Sequence, residues 1–168
     1  DPGDAAGNRA RIAAHVAATV QAGAMPVLLG GDDSLPFPML EGLSGLGGPV
    51  WVVQLDAHVD WRDEVAGERL GLSSGMRRAS EMAHVAGLVQ IGARGIGSAR
   101  PDDLHDARAS GAHLVPMREL ARLDVAAALA PVPAGARIAL VFDWDVLDPA
   151  IMPAVIARTP GGMSYWTA

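Results

Sequence analysis

Residues 50–60 read Val-Trp-Val-Val-Gln-Leu-Asp-Ala-His-Val-Asp, an apolar run that ends in two aspartates and a histidine. The run Val50–Leu55 is almost continuous in apolar residues instead of alternating with polar ones, which is typical of a strand covered on both faces. Four further stretches share this pattern. We therefore expect a sheet of five short buried strands, the other four being Pro26–Leu29, Leu88–Ile91, His113–Val115 and Ile138–Phe142.

Longer amphipathic or alanine-rich stretches separate the predicted strands. In the first of them, Ile12, Val16 and Val20 recur at helical spacing and Gly23 follows, as at many helix C-termini. The alternation of strands and helices predicts an α/β fold of three layers, in which helices cover both faces of a mainly parallel sheet. The predicted helices are Ala5–Ala22, Met76–Gly87, Pro101–Ser110 and Met117–Leu129, and Ser44–Pro49 is predicted to be a connecting turn.

The composition of the 168 residues narrows the class of protein. A hydrophobic share of 50% is ample for the core of one domain, and the absence of cysteine excludes disulfides and thiolate chemistry. The net charge of −6, with 13 arginines and no lysine, does not favour binding to nucleic acid. No apolar run approaches the roughly 18 residues of a membrane span and nothing resembles a signal peptide, so we expect a cytoplasmic protein that binds no membrane.

Acidic residues follow three of the predicted strands. The first cluster is residues 30–34 (Gly-Gly-Asp-Asp-Ser), the second is residues 56–60, and the third is residues 143–145 (Asp-Trp-Asp). The carboxyl ends of parallel strands lie along one edge of a sheet, where open α/β sheets bind ligands. Because an extended backbone points alternate side chains the same way, Asp56, His58 and Asp60 are expected to converge, as are the two aspartates of the third cluster.

Eight of the 14 aspartates lie in these clusters or beside them, so we expect much of the negative charge to share one pocket. These eight are Asp32, Asp33, Asp56, Asp60, Asp63, Asp143, Asp145 and Asp148. Closely spaced carboxylates repel one another strongly outside bulk water and need a counter-charge. The chain has no lysine, and the nearest arginine in sequence is Arg62.

A divalent cation would supply that counter-charge. Carboxylate and imidazole ligands without sulfur favour Mn²⁺, Mg²⁺ or Zn²⁺, and more than four such ligands suggest two ions that share bridging carboxylates. Each cluster alone would also fit a turn or a helix cap. Their joint occurrence at strand ends favours a metal site.

The same clusters resemble the motifs of the ureohydrolase family, which includes arginase, agmatinase, guanidinobutyrase and formiminoglutamase. The segment at 90–95, Gln-Ile-Gly-x-Arg-Gly, is more similar to the agmatinase-like branch than to true arginase. The other matching elements are Gly-Gly-Asp-x-Ser at 30–34, Asp-Ala-His-x-Asp at 56–60, Phe-Asp-x-Asp-x-x-Asp-Pro-Ala at 142–150 and Pro-Gly-Gly-Met-Ser at 160–164.

This resemblance implies a hydrolase with two Mn²⁺ ions per chain that cleaves a linear guanidino compound, such as agmatine, and releases urea. By position, Asp56 and Asp143 would bridge both ions. His58 and Asp145 would hold one ion, and Asp60 would hold the other. Asp60 and Asp145 are the candidate catalytic residues, with Asp60 or another carboxylate passing a proton to the leaving amine. The resemblance also implies a homo-oligomer, a trimer or a hexamer.

Two positions depart from the family's motifs. The family usually has a metal-binding histidine where this chain has Asp33, which can still bind Mn²⁺ through oxygen and makes the site less suited to Zn²⁺. The family often has a proton-carrying histidine in Ser-His-Gly where this chain has Ser73-Ser74-Gly75. We therefore expect Asp33 to be a sixth metal ligand, and a group other than Ser74 to carry the proton.

The resemblance covers about the central half of such an enzyme. We therefore expect residues 1–168 to be a single domain that lacks N- and C-terminal parts of the family's chain, and to be weakly stable and inactive alone. Two alternatives stay open at this point. One is hydrolysis of a formimino or other amidine compound, and the other is a catalytically silent homologue that keeps a metal-binding scaffold.

Overall fold

A parallel sheet of four strands forms the centre of the computed structural model, which describes residues 3–168. The strands lie in the order β3-β2-β1-β4, and they are β1 (Val50–Leu55), β2 (Val85–Ile91), β3 (His113–Val115) and β4 (Arg137–Phe142). Leu55 pairs with both Ile91 and Phe142, so β2, β1 and β4 end level with one another. The predicted α/β class with a parallel sheet is confirmed.

Six helices are described in residues 3–168. The first begins where the Asp4 carboxylate accepts a hydrogen bond from the Gly7 amide (2.9 Å), and it is followed by Gly23 in the left-handed conformation (φ +75°). None of these helices is long and apolar enough to cross a bilayer. They are α1 (Ala5–Gln21), α2 (Pro36–Leu43), α3 (Gly75–Ser80), α4 (Pro101–Ala109), α5 (Met117–Leu120) and α6 (Val125–Ala128), with 3₁₀ turns at Ser44–Leu46 and Trp144–Val146.

Two apolar clusters cover the two faces of the sheet. Val52 belongs to a cluster that takes residues from α1 to α4, whereas its neighbour Val53 belongs to one that takes residues from α5 and α6. Consecutive strand residues point to opposite faces, so the sheet has a core on each side. This arrangement gives the three layers that the sequence predicts and explains the nearly continuous apolar strands.

One face is covered less fully near β4. Within residues 3–168 this strand pairs with β1 alone, and its other edge has no neighbour. Ile138 and Leu140 are 52% and 56% exposed. β4 is therefore an edge strand with apolar side chains open to solvent.

The predicted strand Pro26–Leu29 is wrong. These residues form no ladder with any strand in the described part of the chain, and Val27 and Leu29 are 69% and 91% exposed. An apolar run becomes a strand only where a neighbour takes up its backbone hydrogen bonds, and residues 3–168 provide none here. The first acidic cluster therefore follows an extended segment that lies outside the sheet.

Two predicted helices also need correction, and one helix was not predicted. The helix predicted over Met76–Gly87 ends at Ser80, because Val85–Gly87 is the start of β2. A Cβ atom at Gly87 would come within 2.6 Å of the Trp51 ring. The segment Met117–Leu129 forms two short helices, because Asp124 caps a new one through the Ala127 amide (2.6 Å). Helix α2 was not predicted, although proline at its first position is a known start signal.

Candidate metal centre

The acidic clusters meet at the carboxyl edge of the sheet. Two groups of three side chains each have ligand atoms within 4.8 Å of one another, and the Asp56 carboxylate belongs to both. The first group adds His58 and Asp145 to Asp56, and the second adds Asp33 and Asp60. The structure thus brings five of the six predicted ligands into two overlapping groups, each suited to one ion.

The sixth predicted ligand, Asp143, belongs to neither group but lies beside them. Its amide donates a hydrogen bond to the Leu55 carbonyl (2.9 Å), and its carboxylate accepts one from the Asp145 amide (2.8 Å). Burial raises the pKa of Asp143; the Asp145 amide opposes this, and the charges of Asp145 and Asp60 reinforce it. Asp143 is therefore close enough to sense the charge of both groups.

The backbone that presents these ligands is not extended, so the predicted reason for their convergence is wrong. The chain leaves β1 after Leu55 and turns, and Asp60 adopts the left-handed conformation (φ +53°). The Asp60 carbonyl accepts hydrogen bonds from Met76 and Arg77 at the start of α3 (3.2 and 3.4 Å). The third cluster forms a 3₁₀ turn instead of continuing β4. The orientation of the carboxylates is therefore set by turns and not by the alternation of side chains along a strand.

His58 forms the ionic centre of the first group. Its Nδ1 lies 3.0 Å from Asp145 Oδ2 and 3.3 Å from Asp56 Oδ1. Hydrogen bonds to Asp145 and then to Asp56 raise the pKa of His58 to about 10. Burial works against ionisation of Asp145, but hydrogen bonds from His58 and from the Ala57 amide (3.1 Å) hold the pKa of Asp145 below its usual value. In the absence of a cation, the imidazolium itself partly balances this group.

The second group has no such partner. Burial, followed by the charge and a hydrogen bond of Asp60, raises the pKa of Asp33 to about 9. Burial and the charge of Asp60 also raise the pKa of Asp56 well above its ordinary value. Arg62 does not relieve this repulsion, since its Nε pairs with Asp103 (3.2 Å). Among residues 3–168 no salt bridge joins an arginine to any carboxylate of the two groups or to Asp143.

The chemistry of this donor set fits divalent cations. It consists of oxygens and one imidazole. Burial first, and then the charges of neighbouring carboxylates, raise the pKa values of Asp33, Asp56 and Asp143, and a bound cation would favour the ionised form of all three. Of the eight aspartates expected in one pocket, three do not contribute. Asp32 accepts from the Ser34 amide (2.9 Å), Asp63 pairs with Arg69 and Arg78 (3.0 and 2.9 Å), and Asp148 accepts from the Gly161 amide (2.8 Å).

Ser73 and Ser74, the second of which stands where the family often has histidine, take different positions. The Ser73 amide donates to the Asp33 carboxylate (3.3 Å) from a left-handed backbone (φ +65°). The Ser74 hydroxyl is fully buried and has no hydrogen-bond partner within the described residues. A narrow cavity beside the ligands is lined by His58, Asp60 and Ser73. Two of the clustered side chains, His58 and Asp60, therefore border this cavity.

Arg94 holds the third cluster in place, a role that its position in a glycine-rich loop did not indicate. Its Nη2 donates to the carbonyls of Asp145 (2.7 Å), Leu147 (3.1 Å) and Thr159 (2.7 Å). Gly162 lies against the same guanidinium, where a Cβ atom would approach Nη2 to 2.6 Å. Arg94 therefore joins the turn that carries Asp145 to the Pro-Gly-Gly segment at residues 160–162.

Replacing this clamp is expected to destabilise the protein. Arg94→Met removes the charged donor from three carbonyls, and we expect the free energy of unfolding to fall by about 3 kcal/mol. Urea denaturation of the full-length protein measures this change. The matched control is Arg122→Met, which alters an exposed arginine in a turn. Equal losses in the two variants would contradict the clamp.

This chain belongs to the arginase family, since all 168 residues match the family model. The chain is 34% identical over 154 residues to the proclavaminate amidinohydrolase of Streptomyces clavuligerus, covering 89% of this chain and 49% of that protein. It is 29% identical to the agmatinase of Halalkalibacterium halodurans, covering 83% and 46%.

The solved structure of proclavaminate amidinohydrolase from Streptomyces clavuligerus superposes with a TM-score of 0.80 at 30% identity, covering 93% of this chain and 53% of that one. The chain thus spans about half the length of the curated relatives it matches. The family resemblance read from the motifs is confirmed.

Proposed function

We propose that the protein is a Mn²⁺-dependent hydrolase that cleaves the C–N bond of a linear guanidino compound and releases urea. The observation that carries the proposal is the Asp56 carboxylate, which lies in both three-residue ligand groups. A shared carboxylate is the arrangement that two neighbouring ions require. The names of the relatives, an amidinohydrolase and an agmatinase, agree with a guanidino substrate.

The proposed ligand sets follow the two groups. His58 and Asp145 would hold one ion and Asp33 and Asp60 the other, with Asp56 shared. Asp143, which lies beside both groups, would be the second bridging residue. Bound Mn²⁺ ions would activate a water molecule as the nucleophile and stabilise negative charge that develops on the substrate.

The chain's own residues would hold the ions and move protons. Burial opposes ionisation of Asp145, but hydrogen bonds from His58 and the Ala57 amide outweigh it and hold the pKa of Asp145 below its usual value. This carboxylate therefore stays ionised at neutral pH and is available as a metal ligand. Asp60 lines the cavity and would pass a proton to the leaving amine. The Ser74 hydroxyl does not titrate near pH 7 and would not replace a histidine as proton carrier.

We propose agmatine as the first substrate to test. We also propose that residues 1–168 form the central part of a longer chain, and that this full-length protein is a homo-oligomer, a trimer or a hexamer. Urea release is measured with agmatine, 4-guanidinobutyrate and arginine after reconstitution with Mn²⁺. Urea from one of these substrates supports the proposal. Formamide from a formimino compound instead would favour the other amidine chemistry, and bound metal without turnover would favour a silent homologue.

The role of Asp33 is tested by its removal. Asp33→Ala deletes a ligand of the second group only, so the number of Mn²⁺ ions per chain is expected to fall from two to one. Plasma mass spectrometry after gel filtration gives this ratio. The control is Asp63→Ala, which removes an aspartate that pairs with arginines outside the cluster. Two ions retained in Asp33→Ala would exclude Asp33 as a ligand.

A further inference from the structure

Two buried glutamines lie directly behind the metal ligands. Gln54 on β1 and Gln90 on β2 are register partners in neighbouring parallel strands. Their exposed fractions are 0% and 2%. Both belong to the sheet face that α1 to α4 cover, where neighbouring strand positions are occupied by apolar residues such as Val52 and Leu88.

When Asp56 and Asp60 are ionised, as a bound cation would keep them, the hydrogen bonds of this pair have one direction. The Gln54 side-chain amide donates to Asp56 Oδ2 and to Asp60 Oδ2, both at 2.8 Å, and these carboxylates can only accept when ionised. This use of both Gln54 hydrogens leaves its Oε1 to accept from the Gln90 amide. The second Gln90 hydrogen goes to the Val59 carbonyl (2.7 Å). The amides therefore form an oriented chain that ends on two metal ligands.

Packing alone does not account for this chain. A buried amide costs free energy unless it is hydrogen-bonded, and an apolar residue of similar volume would avoid that cost. The cost is not fully compensated, since Gln90 Oε1 has no partner within the described residues. What the pair achieves instead is to fix one oxygen of Asp56 and one of Asp60 toward the protein interior.

We infer that Gln54 is a positioning residue for both halves of the metal centre, and that Gln90 acts through it by fixing the orientation of its amide. One NH₂ group spans Asp56, the ligand shared by both groups, and Asp60, which belongs to the second. It partly neutralises both carboxylates and leaves their remaining oxygens to face a cation. This inference rests on the proposed function, because it concerns the binding of Mn²⁺.

The test is a Mn²⁺ titration of the full-length protein, followed through the electron paramagnetic resonance signal of the free ion. Gln54→Met keeps the length of the side chain but removes its donors, and we expect the affinity for Mn²⁺ to fall about 10- to 100-fold. Gln90 reaches the ligands only through Gln54, so Gln90→Met is expected to weaken Mn²⁺ binding less, by several-fold. The double variant is expected to bind like Gln54→Met alone, because Gln90 acts through Gln54.

Val52→Ala is the control for a loss of packing. It lies on the same strand and the same face as Gln54, and it should lower the melting temperature without changing the affinity for Mn²⁺. Wild-type affinity in Gln54→Met, or additive losses in the double variant, would overturn the inference. If Gln54→Met does not fold, unchanged affinity in Gln90→Met overturns it instead. A wild-type protein that binds no Mn²⁺ would overturn the proposed function itself.

Discussion

Asp56→Asn in the full-length protein is expected to lower kcat/KM for the guanidino substrate by about 10³-fold or more. The carboxylate of Asp56 lies in both ligand groups, so its loss affects both ions at once. The neutral amide that replaces it binds a divalent cation more weakly than a carboxylate does. We therefore expect the metal content to fall together with the activity. Urea release and metal analysis on the same sample measure both.

Asp32→Asn is the matched control for this variant. It makes the same chemical change in a neighbouring acidic cluster, but Asp32 is exposed, and within residues 3–168 its carboxylate accepts hydrogen bonds from Ser34 alone. Activity and metal content should stay at the level of the wild type. An Asp56→Asn protein that keeps two Mn²⁺ ions per chain would refute the assignment of Asp56 as the shared ligand.

Mn²⁺ is expected to raise the melting temperature of the protein by about 10–20 °C. At a free concentration 100 times its Kd, each ion stabilises the folded state by about 2.7 kcal/mol, and two ions by roughly 5 kcal/mol. One kcal/mol corresponds to about 2–4 °C for a domain of this size. Calorimetry with and without Mn²⁺ measures the shift. The comparison is the shift in melting temperature that Mg²⁺ causes at the same free concentration. Mg²⁺ also binds oxygen ligands but prefers fewer protein groups.

The same experiment has a predicted pH dependence. Burial and the neighbouring Asp60 raise the pKa of Asp33 to about 9, so the folded metal-free protein holds a proton that the unfolded chain releases near pH 4. The stability of the metal-free protein therefore falls as the pH rises from about 4 to 9. His58, whose pKa is raised to about 10 by Asp145 and Asp56, acts in the same direction. Its stabilisation is complete below the unfolded value of 6.5 and is lost as the pH rises through about 10.

The metal-free and the Mn²⁺-bound protein are therefore expected to respond differently to pH. Between pH 5 and 9 the melting temperature of the metal-free protein should fall, and the increase caused by Mn²⁺ should grow. Asp145 does not disturb this trend, because its lowered pKa affects stability only below its usual value of 3.8. Asp33→Asn should flatten the slope. A metal-free melting temperature that is constant or rises over this range would contradict the raised pKa values.

The sequence was most informative where a residue's neighbours in the chain determine its structure. The apolar runs at Val50–Leu55 and His113–Val115 are strands with the predicted bounds. Pro26–Leu29 has the same pattern and is not a strand, because pairing depends on a neighbour that the pattern does not reveal. Local composition predicts that a segment can be a strand, and only the sheet decides whether it is one.

The candidate site divides in a similar way. The ligand types were predictable, since carboxylates and a histidine without any lysine point to a cation. The orientation of these side chains was not predictable, because it depends on the left-handed backbone of Asp60 and on the turn at Asp143. Gln54 was hidden inside an apolar run, and its role depends on Gln90, which is 36 residues away in the chain.

The open edge of β4 has a consequence for the behaviour of residues 1–168 as a separate polypeptide. After Arg137, the strand reads Ile-Ala-Leu-Val-Phe and carries no charge and no proline. Its free backbone amides and carbonyls lie beside the exposed side chains of Ile138 and Leu140. Natural sheets protect such edges with lysine, proline or a covering segment, because an unprotected edge is a template for cross-strand association between molecules. β4 is therefore one edge at which self-association at high concentration is expected, and a charged residue in place of Leu140 would oppose it.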